Sequence, residues 1–263
     1  MQNFQIPCRA MRWLELCTLS CVLSFAHHAA LAQVQINPVL VELGARQRTV
    51  TLTVSLSANA SAPMRLQAEL LHWGQGLQGQ AVTEPSDDLL VTPPLIDVAP
   101  GATQVIRVAL RGARQSSKEL AYRLVLEDIA DATEEIGLAP GMAIKVQMRY
   151  DVPVLVAPDG KAVNALQWKP CATDATQSLK LVTPGPYCVR LFNAGNRRVK
   201  LQELTFEGDG WQQALAFKEG ENLLAGAQRE WRLPIFPGHG GNLTGIQAQT
   251  AHGETLRAET GEF

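Results

Sequence analysis

The sequence is poor in the residues that carry most metal and nucleophilic chemistry. Its 263 residues include five histidines and five cysteines, aromatics make up 6%, and the formal net charge is −2. A chain without positive surplus lacks the electrostatic footprint of a nucleic-acid binder. Past the first 32 residues only His72, His239 and His252 remain, and none is spaced as a metal pair on one helix or strand. No nucleophile elbow or phosphate-binding loop is present. The run GHGGN at Gly238 to Asn242 has no helix after it and reads as a flexible loop. Ser86 to Asp88 lacks further ligands at calcium spacing and reads as a solvated turn. Beyond the leader no apolar run approaches the roughly 20 residues of a membrane helix. Neither an enzyme, a cofactor nor membrane insertion is expected.

The first 32 residues read as a secretory signal peptide: Arg9 and Arg12, a mostly apolar stretch to Phe25, then small residues ending Ala30-Leu31-Ala32, with cleavage expected after Ala32. The leader takes Cys8, Cys17 and Cys21 with it and leaves Cys171 and Cys188. An even pair in an exported chain reads as a disulfide. Two separate thiols are the alternative, while a metal site has no histidine near either cysteine.

What remains is long enough for two domains of about 100 residues each. Alternating, β-branched runs follow one another throughout: QVQINPVLVEL and RTVTLTVSLSA about a turn at Gly44, MRLQAELLHW, then a segment with turns at Pro93-Pro94 and Pro100-Gly101. The pattern breaks at VAPDGK, and a second strand series follows that holds both cysteines. The expected fold is all-β, two immunoglobulin-like sandwiches. The expected divisions are a signal peptide over 1–32, a first domain over 33–157 and a second over 158–263. The tail HGETLRAETGEF is polar and expected to be loose.

One segment is unusual. From Met142 to Val156 every even-numbered residue is apolar, while Lys145, Gln147, Arg149, Asp151 and Pro153 occupy odd positions. Period two means a strand with one oily face, and at ~3.3 Å per residue a continuous strand would span roughly 50 Å. Ordinary strands span about 17–20 Å.

Two stretches together carry a resemblance. PPLIDVAPGATQVIRV followed by KELAYRLVLEDI, then the long strand ending at Pro158, resemble in order and spacing the first domain of the periplasmic pilus chaperones of the chaperone-usher pathway, the PapD-like superfamily. The matching positions in the second segment are Lys118, Glu119, Tyr122, Leu126, Asp128 and Ile129; the opening INP and the pattern C...LFNAGNRRVKL also suit the family.

The resemblance implies two sandwiches set in an L or boomerang, and a function for the long strand. A pilin-like subunit is a sandwich lacking its final strand; the chaperone donates a strand to it and delivers it to an outer-membrane usher. On this reading Met142, Ile144, Val146 and Met148 are donated, while Tyr150, Val152, Val154 and Val156 stay in the chaperone's own core. A strand bent or broken at Pro153, with both halves packed in one chain, is the rival. Free chaperone would keep Met142 to Met148 either mobile or self-associated, to hide the apolar edge.

The resemblance also implies a departure. Well-studied members hold the subunit's terminal carboxylate with an Arg in the first strand and a Lys in the long strand. Ungapped comparison puts Leu40 and Pro153 there, and neither donates to a carboxylate. The chain is therefore closer to the divergent, archaic branch, and Arg123 and Arg149 are the candidate anchors. Arg107 is set aside as a strand arginine whose commoner fate is pairing with an acid inside the domain. A secreted two-domain adhesin or carbohydrate-binding protein is the alternative function. It requires exposed aromatics on a sandwich face, and Trp73, Trp168, Trp211 and Trp231 are scattered along the chain. A secreted β-sandwich hydrolase is disfavoured by the thin histidine supply.

Overall fold

The computed structural model describes residues 33–112, 116–129, 147–171, 188–232 and 243–263. Among these residues there are strands and turns and no helix. In chain order the first ten strands are β1 (Val34–Asn37), β2 (Val41–Leu43), β3 (Thr49–Leu56), β4 (Met64–Gln75), β5 (Ala81–Pro85), β6 (Leu89–Thr92), β7 (Leu95–Val98), β8 (Thr103–Leu110), β9 (Leu120–Asp128) and β10 (Arg149–Val156). They form two facing sheets. One has the order β1-β3-β8-β6; the other has the order β2-β10-β9-β4-β5, with β7 also paired to β4.

Period-two alternation dictates this packing. Leu52 and Val54 on β3 and Ile106 and Val108 on β8 point inward from the first sheet. Leu66 and Leu70 on β4, Tyr122, Leu124 and Leu126 on β9, and Val152, Val154 and Val156 on β10 meet them from the second. Each such side chain contributes roughly 1.5–3 kcal/mol on burial. The chain changes sheets between β1 and β2: Val34 to Asn37 pair antiparallel with β3, whereas Val41 to Leu43 pair parallel with Val154 to Val156. The residues between them include the cis peptide Asn37-Pro38.

The remaining strands are β11 (Leu166–Pro170), β12 (Cys188–Asn193), β13 (Val199–Gly208), β14 (Trp211–Leu223), β15 (Gln228–Arg232), β16 (Leu243–Thr250) and β17 (Thr255–Thr260). They follow one hydrogen-bonded path, β14-β13-β16-β17-β11-β12-β15. Apolar side chains from all seven meet in a second core, Trp168, Leu191, Leu201, Phe206, Leu223 and Ile246 among them. Buried Asn193 ties the turn after β12 together. Its amide donates to the carbonyls of Arg197 and Leu223, and its side-chain oxygen accepts from the Gly195 N–H.

Two sequence expectations are corrected here. The tail is not loose: β17 pairs with β16 and β11, Phe263 stacks on Phe192 at 5.0 Å between ring centroids, and the Lys169 ammonium donates to the Phe263 main-chain oxygen. The turn at Ser86 to Asp88 is not merely solvated, because Asp88 accepts a 2.9 Å hydrogen bond from the hydroxyl of buried Tyr122. A buried hydroxyl needs a partner, and Asp88 is placed to be one. Desolvation and that carboxylate together push the Tyr122 ionisation well above the ordinary phenol range. GHGGN lies outside the described residues.

Candidate functional site: the outer face and free edge of β10

Pro153 does not break the long strand; β10 runs through it from Arg149 to Val156. The ladder with β9 extends one residue further, the Asp128 N–H donating to the Met148 carbonyl at 2.9 Å. The alternation read from sequence holds over this half. Val152, Val154 and Val156 are buried, Tyr150 is half-buried against the same core, and Met148 is 44% exposed. Met142, Ile144 and Val146 lie outside the described residues.

The two edges of β10 differ. Its inner edge pairs with β9 over the full length, while its outer edge meets β2 only at Val154, Leu155 and Val156. Among the described residues no strand covers the outer edge from Arg149 to Pro153. A proline fits within a strand only where the ladder can spare a donor, which suits such a partly open edge. Val39, 74% exposed, lies in the sheet-changing segment between β1 and β2.

The odd-numbered residues of β10 face away from the core, and register fixes their neighbours in rows. Leu155 faces Ala121 on β9 and Glu42 on β2. Pro153 faces Arg123, which faces Leu71 on β4; Asp151 faces Val125, which faces Glu69; Arg149 faces Glu127, which faces Gln67. The first row is covered: Leu155, Ala121 and Trp73 pack with Leu224 from the second strand series, and Leu40 and Ala227 border them. Arg123 stands at the margin of this apolar patch.

Around the patch polar groups join the two strand series. The Gln75 amide donates to the Asn222 carbonyl at 2.9 Å and its oxygen accepts from the Leu224 N–H at 2.8 Å. The Glu230 N–H donates to the Leu77 carbonyl at 2.7 Å. Glu119 accepts from the Arg198 N–H at 2.8 Å, and the Arg198 guanidinium donates to Asn222 Oδ1 at 3.0 Å and lies 3.9 Å from Glu42. Burial raises the Glu119 carboxyl above its ordinary range against the opposing pull of Arg198, and burial likewise lowers Arg198.

Of the two candidate anchors, Arg123 is held firmly. Its guanidinium carbon lies 3.6 Å from the Trp73 ring centroid, a cation–π stack on an indole that is only 4% exposed. Among the described residues its one ionic contact is NH1 to Asp151 Oδ1 at 3.4 Å, and its buried Nε has no hydrogen-bond partner there. Arg149 is exposed on the same face, but it lies four residues before Pro153, which faces Arg123. At ~3.3 Å per residue that is roughly 13 Å along the strand. Arg107 is exposed on β8, and among the described residues it has no acidic partner. Leu40, at the expected first-strand anchor, contributes only apolar surface.

Trp73, Leu155 and Leu224 were not singled out by sequence reasoning. A signal existed: Leu70-Leu71 breaks the alternation of β4, and Leu155 is an apolar residue on a strand face otherwise polar. The cysteines do meet. Cys171 and Cys188 form a disulfide at the end of the β11–β12 ladder, where the Cys171 N–H donates to the Cys188 carbonyl at 2.9 Å. Trp73, Trp168 and Trp231 are buried, so they offer no exposed aromatic platform for a sugar.

Residues 33–162 match the family model of the pili and flagellar-assembly chaperone, PapD N-terminal domain. No curated protein matches by sequence. Among solved structures the chain is similar to the pre-assembly complex of chaperone CsuC and tip adhesion subunit CsuE from archaic chaperone-usher Csu pili of Acinetobacter baumannii (TM-score 0.61, 15% identity, 88% of this chain and 100% of that one). It is similar also to the class 5 fimbriae chaperone CfaA (0.60, 14%, 88% and 100%) and to the Salmonella enterica SafA pilin complex with the SafB chaperone (0.53, 14%, 87% and 97%). At these identities the likeness speaks for the fold, which is that of two immunoglobulin-like sandwiches. The family match, the sandwich that it spans and the half-open strand within that sandwich identify residues 33–162 as an N-terminal domain of the pili and flagellar-assembly chaperone family.

Proposed function

We propose that the chain is a periplasmic chaperone that completes pilin-like subunits by lending them a strand, and that it hands them to an outer-membrane usher. The observation that carries this reading is the outer edge of β10, which no described strand pairs from Arg149 to Pro153, on a segment whose apolar alternation in sequence continues upstream to Met142. An open edge with an oily face is a liability unless a partner strand takes it, and a sandwich lacking one strand is such a partner. The family assignment and the likeness to chaperone–subunit complexes support the same reading.

In this proposal Met142, Ile144, Val146 and Met148 fill the subunit's groove. Burying four such side chains contributes roughly 6–12 kcal/mol gross, of which association removes a large part. Arg123, directly across from Pro153, supplies the charge that in the family sits on the long strand itself, and it grips the subunit's terminal carboxylate. Arg149 lies further out on the same face. The division into a signal peptide over 1–32, a strand-lending domain over 33–157 and a disulfide-bearing domain over 158–263 belongs to this proposal.

The test is co-expression in a bacterial periplasm with a pilin-like subunit that lacks its last strand. A stable one-to-one complex is expected, with amide exchange slowed from Met142 to Pro153 relative to the free chain. Recovery of the subunit only as aggregate would overturn the reading.

A further inference from the structure

Among the described residues the contact between Arg123 and Asp151 is looser than several other ion pairs, though Arg198 and Glu42 are further apart still at 3.9 Å. Arg65 engages Asp97 through two nitrogens at 2.6 and 3.3 Å, and Arg229 reaches Glu221 at 2.7 Å. Arg123, with 18% of its side chain exposed and its guanidinium carbon 3.6 Å from the Trp73 ring centroid, meets its acid at a single point 3.4 Å away. That acid is half-exposed and projects from β10, one row along the open face from Pro153. It is a side-chain carboxylate held beside a preorganised guanidinium that it does not match. A carboxylate free to orient would make the paired, two-point contact that a guanidinium favours.

We propose that Asp151 is a resident competitor for Arg123. It holds the guanidinium in the free protein and yields it to the terminal carboxylate of a captured subunit. This rests on the anchor reading above and adds a role for Asp151, which sets how readily the subunit lets go. Two effects act in the same direction. The bound carboxylate must displace Asp151 from Arg123, and once bound it lies near a second negative charge that pulls the guanidinium back as soon as the contact loosens. Asp151 therefore speeds release, which a carrier needs and a permanent partner does not. A merely structural Asp151, one that orients Arg123, would have the opposite effect on removal.

The experiment compares wild type, Asp151→Asn, Arg123→Gln and the double variant. The probe is a purified pilin-like subunit refolded in the presence of the chain, prepared with its native C-terminal carboxylate and, by ammonolysis of a C-terminal thioester, as the C-terminal amide. The expected result is that Asp151→Asn slows release of the carboxylate form about two- to fivefold, the range of a partly exposed ion pair. Release of the amide form should be unchanged, and the effect should vanish in the Arg123→Gln background. Faster release from Asp151→Asn, or an equal change for both subunit forms, would overturn the competitor role while leaving the anchor standing. If wild type does not distinguish the two subunit forms, the anchor reading itself fails. If wild type captures neither form, both fall. A second arm needs no subunit: acetate titrated against the 15N-labelled arginine side chains, with acetamide as neutral control. It should perturb Arg123 at lower concentration in Asp151→Asn than in wild type, and equal concentrations would count against the competitor.

Discussion

The Arg123 guanidinium carbon lies over the Trp73 indole, 3.6 Å from its centroid, at the edge of the apolar patch formed with Leu155 and Leu224. This stack uses the planarity of guanidinium, which an ammonium lacks. Replacing Arg123 by Lys keeps the charge but should recover little of the anchor. Both Arg123→Lys and Arg123→Ala are expected to weaken binding of an intact subunit by about 2–5 kcal/mol, as measured by titration calorimetry. Binding by the lysine variant at wild-type strength would show that charge alone suffices.

In the proposed reading, changing Ile144 and Val146 together to Glu puts two charges on the face that enters the subunit's apolar groove. Subunit capture should be abolished while the circular dichroism spectrum and melting temperature stay near wild type. Normal capture by a folded double variant would remove the strand-lending assignment.

The disulfide between Cys171 and Cys188 closes a loop of 17 residues in sequence separation. Replacing both cysteines by Ser should lower stability by about 3 kcal/mol in the chain-entropy model, read from denaturant unfolding. Subunit affinity, measured below the unfolding transition, should change little, because the open edge of β10 belongs to the other core. A loss of affinity equal to the loss of stability would contradict that separation.

The Glu119 carboxyl, raised chiefly by burial, gives a pH signature. A carboxyl whose pKa is higher folded than unfolded binds its proton more tightly when folded. The stability it contributes is full below the unfolded value of about 4.3 and is lost as pH rises through the folded value. Glu119→Gln keeps an acceptor for the Arg198 N–H and removes the titration. The melting temperature of wild type minus that of Glu119→Gln should therefore fall as pH is raised from about 4 and level off above the folded pKa. A difference constant from pH 4 to 7.5 would mean that Glu119 is not perturbed.

The sequence by itself determined the elements and the inward faces. Val152, Val154 and Val156 alternate with polar neighbours, and only a strand puts all three in one core. Cys171 and Cys188, the only cysteines past the first 32 residues, pointed to each other by number alone. The family was legible because its marks are local runs, such as Lys118 to Ile129.

What only the tertiary structure decided are relations across strands and between the two cores. Arg123 and Pro153 are 30 positions apart in the chain, and register alone puts them face to face. In the proposed reading that register lets Arg123 supply a charge that Pro153 lacks. It also separates Arg149 from Arg123, which a list of basic residues could not do. Asp88 was a turn residue until packing brought the Tyr122 hydroxyl to it. Trp73 looked like one of several scattered tryptophans until Leu155 and Leu224 covered it. Hydrophobic period reports which way a side chain points from its own backbone, but not which distant side chain arrives to meet it. That depends on strand order, register and the docking of the second core, and these set the surroundings of Arg123.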